Sequence, residues 1–259
     1  MLIFSKILKK DEQKKTTNNE NSTIISSKEN NLKEISLEKI DLRKKTLEVT
    51  LEKYNISNEK ARVAVALDIS GSMEDLYENG KVQELFERIL PLALKFDDNG
   101  ELDLWLFSNK SSKMESISLN NYFNYVTKNI LNQSNHDFWG GTSYAPVMKD
   151  IYKELVVKHP SKLPTYVLFI TDGNNSDKKE TDDIIKKLSK HNIFWQFVGI
   201  GYSSFDYLDH LDNIDGRFID NANFMKVSNL SKKTDTDLYN ELLKEYPSWK
   251  KLAKSKGIL

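Results

Sequence analysis

The sequence predicts an α/β protein with a doubly wound, mostly parallel open sheet and helices on both faces. Three observations carry that prediction. Helix-like and strand-like patterns alternate along the chain. The strand-like segments are almost unbroken apolar runs, as central parallel strands covered on both faces require. Finally, segments rich in carboxylates and hydroxyls stand where those runs end, which is where open α/β sheets bind ligands.

From Lys9 to about Asn31 the chain is mostly Lys, Glu, Asn, Ser and Thr, with Ile24 and Ile25 as the aliphatics. Such a segment cannot offset its ordering entropy, so residues 1–32 read as a flexible N-terminal tail. Residues 33–58 show alternation instead. Ile35 and Leu37, then Leu47, Val49 and Leu51, stand at every second position, with Glu48, Thr50 and Glu52 facing the other way. A period of two marks half-buried strands, so a small N-terminal β extension is expected here, turning across Asp41–Lys45.

The main domain is expected over residues 59–246. Val63–Leu67 (VAVAL) is its first buried strand. Val82, Leu85, Phe86, Ile89, Leu90 and Ala93 then recur at helical spacing after the Asn79-Gly80 turn, with Pro91 expected to kink that helix. Leu102–Phe107 (LDLWLF) reads as a strand. Leu119–Leu131 has a weak helical pattern and Tyr144–Val157 a better one. Tyr166–Ile170 (YVLFI) is another strand, Lys178–Lys190 an amphipathic helix, Ile193–Ile200 (IFWQFVGI) a strand, Phe224–Val227 the last strand and Asp237–Tyr246 the closing helix. Residues 247–259, with the Lys-rich stretch Trp249–Lys256, read as a basic solvated tail, with weak contact to an acidic partner or membrane surface as the alternative.

Composition narrows the function. With 39% hydrophobic residues and 12 Phe, 11 Tyr and 4 Trp, there is enough apolar material for a core, which excludes a wholly disordered chain. The 38 basic and 38 acidic residues cancel, which argues against nucleic acid or any partner held by bulk charge. The absence of Cys removes disulfides, thiolate metal sites and thiol nucleophiles. No run approaches the roughly 18 apolar residues of a membrane span. MLIFSKILKK makes a poor secretion signal, interrupted as it is by Ser5 and Lys6, so a cytoplasmic protein is expected.

Asp68-Ile69-Ser70-Gly71-Ser72 follows the first strand directly. Thr171-Asp172-Gly173 follows YVLFI, and Gly140-Gly141-Thr142-Ser143 opens a helix between them. Together they offer two carboxylates, several hydroxyls and no nitrogen or sulfur ligand. All-oxygen ligation suits a hard divalent cation, Mg²⁺ first, with Mn²⁺ or Ca²⁺ as alternatives. The alternate spacing of Asp68, Ser70 and Ser72 lets one tight loop aim three oxygens at a point. Taken singly, each segment is equally compatible with an Asx-type turn, a helix cap or a plain loop; the combination in this order is what points to a metal.

D-x-S-x-S, a Thr after paired glycines and a strand-terminal T-D-G resemble the metal-ion-dependent adhesion site of von Willebrand factor type A domains, a Rossmann-like fold. ARVAVALDISGSMEDLYENGKVQELFERILPLALKFDDNGELDLWLFS, with YVLFITDGNN and FWQFVGIG, is similar to the TerF-like branch, associated with bacterial tellurium resistance and stress responses. The resemblance extends over about Leu37–Tyr246. It implies that Ser70, Ser72 and Thr142 ligate the metal directly and that Asp68 and Asp172 act close by, mostly through bound water. It also implies a protein partner whose Glu or Asp completes the coordination, such as another tellurium-resistance or stress protein, and an interaction module that is not an enzyme.

Phe138, Trp139 and Tyr144 flank the Gly-Gly-Thr segment. They fit an apolar rim that a partner would bury, or equally the packing of that loop against the domain. The enzyme alternative is a Mg²⁺-dependent phosphatase of the haloacid-dehalogenase kind with Asp68 as nucleophile. That chemistry wants a second carboxylate two residues on, where Ser70 stands, although Lys178 and Lys179 lie near Asp172 in sequence. Gly199-Ile200-Gly201 lacks the third glycine of a dinucleotide loop, Ser204 standing in its place. His136, His159, His191 and His210 are scattered without metal-ligand spacing.

Overall fold

The computed structural model describes residues 2–97, 99–132, 140–173 and 175–259, with side chains from residue 27 onward. It divides into two compact units, Met1–Asp41 and Leu42–Leu259. Helix α1 runs over Leu2–Lys53, where a flexible tail over 1–32 and a β extension over 33–58 were expected. Neither forms, and among the described residues no strand precedes Arg62. The reason is visible in the sequence: residues 1–53 contain no Gly or Pro to break a helix. In the second unit Leu47, Thr50 and Leu51 are buried while Val49 is 67% exposed, a spacing of three to four that belongs to a helix. The alternation of Leu47, Val49 and Leu51 was a coincidence of two overlapping periods.

The second unit is built on a six-stranded sheet in the order β3-β2-β1-β4-β5-β6. Its strands are β1 (Arg62–Asp68), β2 (Asp103–Phe107), β3 (Ser111–Lys113), β4 (Thr165–Thr171), β5 (Ile193–Ile200) and β6 (Ala222–Val227). All neighbours are parallel except β2 and β3. β3 is a polar edge strand of sequence SSK, too short and hydrophilic to be read as a strand from pattern. The helices are α2 (Glu74–Glu78), α3 (Lys81–Phe96), α4 (Ala145–Tyr152), α5 (Lys178–Leu188), α6 (Asp206–Asn213), α7 (Asp235–Leu243) and α8 (Tyr246–Ser255). α3 continues through Pro91. α4 ends in a π-helical turn over Lys153–Lys158, and only Val126–Leu131 of the weak 119–131 pattern is helical, again as a π-helical turn.

One face of the sheet is covered by α4, α5 and α6. Ala64 and Ala66 of β1, Val167 and Phe169 of β4, and Trp195 and Phe197 of β5 form its core with Val147, Met148, Ile185 and Leu208. The small alanines on the central strand let the helices approach closely. The opposite face meets α3, where Phe96, Tyr166, Phe194 and Tyr246 pack edge to face or stacked, with ring centroids 5.1–6.1 Å apart. Tyr239 of α7 donates to Arg88 O at 2.8 Å, and Lys53 at the end of α1 reaches Asn240 Oδ1 at 2.7 Å.

The basic segment 247–259 is not a solvated tail. It is mostly helix α8, with Trp249, Lys250 and Ala253 buried. Tyr246, Trp249 and Ala253 fall at i, i+3 and i+7 and face inward, while Lys251 and Lys254 face solvent. Lys250 forms an ion pair with Glu59.

Candidate metal centre

The strand order reverses between β1 and β4, since β1 is flanked by β2 on one side and β4 on the other. The carboxyl ends of these two strands therefore open the switch-point crevice. Asp68 is the last residue of β1, and Asp172 follows the last residue of β4.

Ser70 N–H donates to Asp68 Oδ1 at 2.8 Å, so an Asx-type turn is present. It does not exhaust the loop's chemistry. Ser70 precedes a short 3₁₀ turn over Gly71–Met73, yet its hydroxyl makes no capping bond. Instead Ser70 Oγ lies 3.2 Å from Ser72 Oγ, and Ser72 Oγ donates to Asp172 Oδ1 at 2.8 Å. Asp68, Ser70, Ser72 and Asp172 thus form one connected cluster of oxygens.

The third segment arrives through Gly71 N–H, which donates to Gly140 O at 3.2 Å. Thr142 is half-buried beside it, held by its backbone carbonyl, which accepts from Ser176 N–H at 2.9 Å and from Ser176 Oγ at 2.9 Å. The Thr142 side chain does not cap α4. Asp177 does that work from another loop, accepting from Tyr144 N–H at 3.0 Å and Ala145 N–H at 2.8 Å. A Cβ at Gly141 would sit 2.8 Å from Asn109 Oδ1, so the exposed Asn109 side chain would have to shift to admit one.

Electrostatics distinguish the two carboxylates. Asp68 is 0% exposed and Asp172 7%, and neither has an ion-pair partner among the described residues. Burial pushes Asp68 up to about 6, against the opposing hydrogen bonds from Thr171 and Ser70, with the charge of Asp172 adding to the rise. Burial also raises Asp172, against the bond from Ser72. Two buried carboxylates without a cation are an unbalanced arrangement, since buried charges are ordinarily paired or coordinate metals. Both Asp68 oxygens already accept protein donors, Oδ1 from Ser70 N–H and Oδ2 from Thr171 Oγ1 at 2.6 Å. Asp68 is therefore suited to orient a ligand sphere, while the serine hydroxyls have lone pairs to offer. Among the described residues no three His, Cys, Asp or Glu side chains gather as a metal group; the cluster here consists of two carboxylates and neighbouring hydroxyls.

Phe138 and Trp139 lie outside the described residues. Tyr144 does not belong to an exposed rim. Its ring is fully buried, 5.8 Å from Phe107 and 4.8 Å from Phe169 by centroids, and its hydroxyl donates to Thr171 Oγ1 at 3.2 Å and to Gly173 O. As the residue just before α4, it faces the core that α4 builds. Sequence reasoning missed two residues that support Asp68. Thr171 stands inside the T-D-G segment and was legible there. Tyr77, whose hydroxyl donates to Asp68 O at 2.9 Å, carries no local signal, because its distance from Asp68 closes only when α2 folds back.

A mostly parallel α/β sheet with a D-x-S-x-S loop, a Gly-Gly-Thr loop and a T-D-G loop at one crevice defines a von Willebrand factor type A domain. The chain belongs to the vWA-TerF-like family, described as the vWA found in the TerF C terminus, which matches residues 60–259. It is 44% identical over 220 residues to the uncharacterized protein YcbR of Bacillus subtilis (strain 168), covering 85% of this chain and 90% of that protein. It resembles a von Willebrand factor type A structure from Catenulispora acidiphila with a TM-score of 0.50 at 13% identity, over 74% of this chain and 43% of that one. A second likeness, TM-score 0.50 at 15% identity, is to an aerotolerance-related membrane protein from Bacteroides fragilis, over 71% of this chain and 99% of that one. The chain spans half the length or less of five of the solved chains it matches. At these identities the structures speak for the fold. No helix among the described residues is long and apolar enough to cross a membrane.

Proposed function

We propose that this chain is a metal-ion-dependent protein–protein interaction module and not an enzyme. Ser70, Ser72 and Thr142 would hold a divalent cation through their hydroxyls, with Asp68 and Asp172 balancing its charge and orienting its remaining ligands. Mg²⁺ suits this oxygen set first, with Mn²⁺ or Ca²⁺ as alternatives. A bound cation would supply an open coordination position for a Glu or Asp of the partner. The observation that carries this reading is the buried Asp68–Asp172 pair, linked through Ser70, whose N–H donates to Asp68 and whose hydroxyl meets that of Ser72, and through Ser72, whose hydroxyl donates to Asp172, the pair lacking an ion-pair partner among the described residues.

The wider role follows from family association: a cytoplasmic scaffold within a bacterial tellurium-resistance or stress-response system, with other proteins of that system as partners. Direct redox chemistry on tellurite is not part of the proposal, because the chain has no Cys.

The phosphatase alternative finds little support in the geometry. Asp68 is fully buried with both oxygens engaged, so it is badly placed as a nucleophile. Lys178, one of the lysines considered for a phosphate, has its ammonium 5.1 Å from the Tyr207 ring centroid.

The test is a pull-down from lysate with Mg²⁺ and with EDTA, beside the Asp68→Ala/Asp172→Ala variant, together with hydrolysis of a generic phosphate ester. The module reading expects partners that are lost with chelator and with the variant, and no turnover. Turnover abolished by Asp68→Asn would overturn it.

A further inference from the structure

A cavity lies at the opposite end of the sheet from the candidate metal centre. The loop before β4, the turn from α5 into β5, the loop before β6 and the chain leaving α8 border an open surface cavity of about 600 Å³. That is within the roughly 300–1,000 Å³ of ordinary ligand sites. It lies at the amino ends of the strands, about 20 Å from the candidate metal centre by strand length. Ser161, Lys190, His191, Phe218, Lys256 and Ile258 are among its lining residues.

The walls are held from behind. Asn192 Nδ2 donates to Ser161 O at 2.9 Å and to Leu163 O at 3.1 Å, pinning the loop before β4. Ser189, fully buried, accepts from Phe218 N–H at 2.7 Å and donates to Lys186 O at 2.6 Å. α8 ends in a Schellman motif. Gly257 takes a φ of +70°, its N–H donates to Lys254 O at 3.2 Å, and Ile258 N–H donates to Ala253 O at 2.9 Å. This fixes the segment that carries Lys256.

The chemistry of the lining is cationic and flat. Lys190 and Lys256 are exposed and have no ion pair among the described residues. Burial, and then the charge of Lys187, hold His191 below its usual range, so the positive charge of the cavity comes from the two lysines. His191 Nε2 lies 3.2 Å from Tyr152 OH. Phe218 is 49% exposed, with the Lys256 ammonium 5.9 Å from its ring centroid. Two ammoniums match a dianion, and a phosphate monoester carries about −1.5 to −2 at pH 7. An exposed ring offers a stacking face to a planar body.

We propose that this cavity binds a small phosphate monoester with a planar body, of nucleoside-monophosphate size, its phosphate held by Lys190 and Lys256 and its planar group against Phe218. The proposal is independent of the metal centre.

Calorimetric titration of the full chain with AMP, phenyl phosphate, inorganic phosphate and adenosine tests it. Saturable binding of AMP and phenyl phosphate is expected, tighter than inorganic phosphate or adenosine. Lys190→Gln/Lys256→Gln should weaken AMP by about tenfold or more, as loss of charge-assisted contacts implies. Phe218→Ala should bring AMP down to the level of inorganic phosphate. Lys190→Gln alone serves if the double variant melts lower than wild type. No saturable binding of either ester, or binding unchanged in the lysine variants, overturns the site. Equal affinity for AMP and inorganic phosphate overturns the planar-body requirement.

Discussion

Ser72 Oγ donates a 2.8 Å hydrogen bond to Asp172 Oδ1 across 100 residues of sequence, tying the loop after β1 to the loop after β4. That bond joins two segments that are individually ordinary turns. It brings a hydroxyl, with lone pairs still to offer, beside a buried carboxylate that no cation neutralises among the described residues.

A divalent cation at this centre should stabilise the fold. At a hundred times its dissociation constant it would add about 2.7 kcal/mol, which in a domain of this size raises the melting temperature by roughly 5–10 °C. Thermal melts with EDTA, Mg²⁺, Mn²⁺ and Ca²⁺ should show this rise for wild type and none for Asp68→Ala/Asp172→Ala. No shift with any ion would return Ser70, Ser72 and Thr142 to loop residues.

The metal-free protein should lose stability as pH rises from about 4 to 6. Burial pushes Asp68 up to about 6 in the folded chain against 3.8 for a free aspartate, so between those values the native state binds more protons than the unfolded state. The slope of unfolding free energy with pH is then negative, and the cost reaches up to about 3 kcal/mol above pH 6. Asp172, whose carboxyl is also raised, acts in the same direction. Urea titrations of wild type and Asp68→Asn in EDTA should diverge with rising pH, the variant becoming relatively more stable. Parallel profiles would mean that Asp68 ionises freely. Metal-induced stabilisation of wild type should fade as pH falls through 6, where proton and cation compete.

Tyr144 should behave as a core residue. Tyr144→Phe removes the bonds to Thr171 Oγ1 and Gly173 O and should cost about 1–2 kcal/mol. Tyr144→Ala also vacates the space beside Phe107 and Phe169 and should cost about 3–5 kcal/mol. Chemical denaturation measures both. A Tyr144→Ala protein that melts like wild type but fails to bind a partner would restore this residue to an exposed rim.

Arg88 should be irreplaceable by Lys. Its guanidinium, almost fully buried, bonds Asp235 Oδ1 at 2.6 Å, Leu230 O at 2.7 Å and Lys233 O at 2.6 Å. An ammonium cannot reproduce that fork. Arg88→Ala should cost about 3–5 kcal/mol by leaving buried groups unpaired, and Arg88→Lys should recover only part of it. Equal stability of Arg88→Lys and wild type in urea would count against this geometry.

The central strands of the sheet were legible because parallel strands covered on both faces are apolar throughout: VAVAL, YVLFI and IFWQFVGI announce themselves. The helices α3 and α5 were legible from their 3.6-residue period. The N-terminal segment misled because apolar residues at 47, 49 and 51 satisfy a period of two. The absence of Gly and Pro allows a helix there, and the burial of Leu47, Thr50 and Leu51 at helical spacing fits it. Segment 247–259 misled in the opposite way, its lysines masking the inward stripe of Trp249 and Ala253.

By itself, the sequence determined the fold class, the order of most elements and the three loops that carry Asp68, Ser70, Ser72, Thr142 and Asp172, because strand ends and loop chemistry are local properties. What only the tertiary structure decided is which of those groups touch. It assigns both Asp68 oxygens to Ser70 N–H and Thr171 Oγ1, leaves Ser70 Oγ uncommitted to a cap, sends Tyr144 into the core and gathers Lys190, Phe218 and Lys256 around one cavity. Hydrogen bonding and burial between residues far apart in sequence depend on how the chain packs, and no local pattern encodes that.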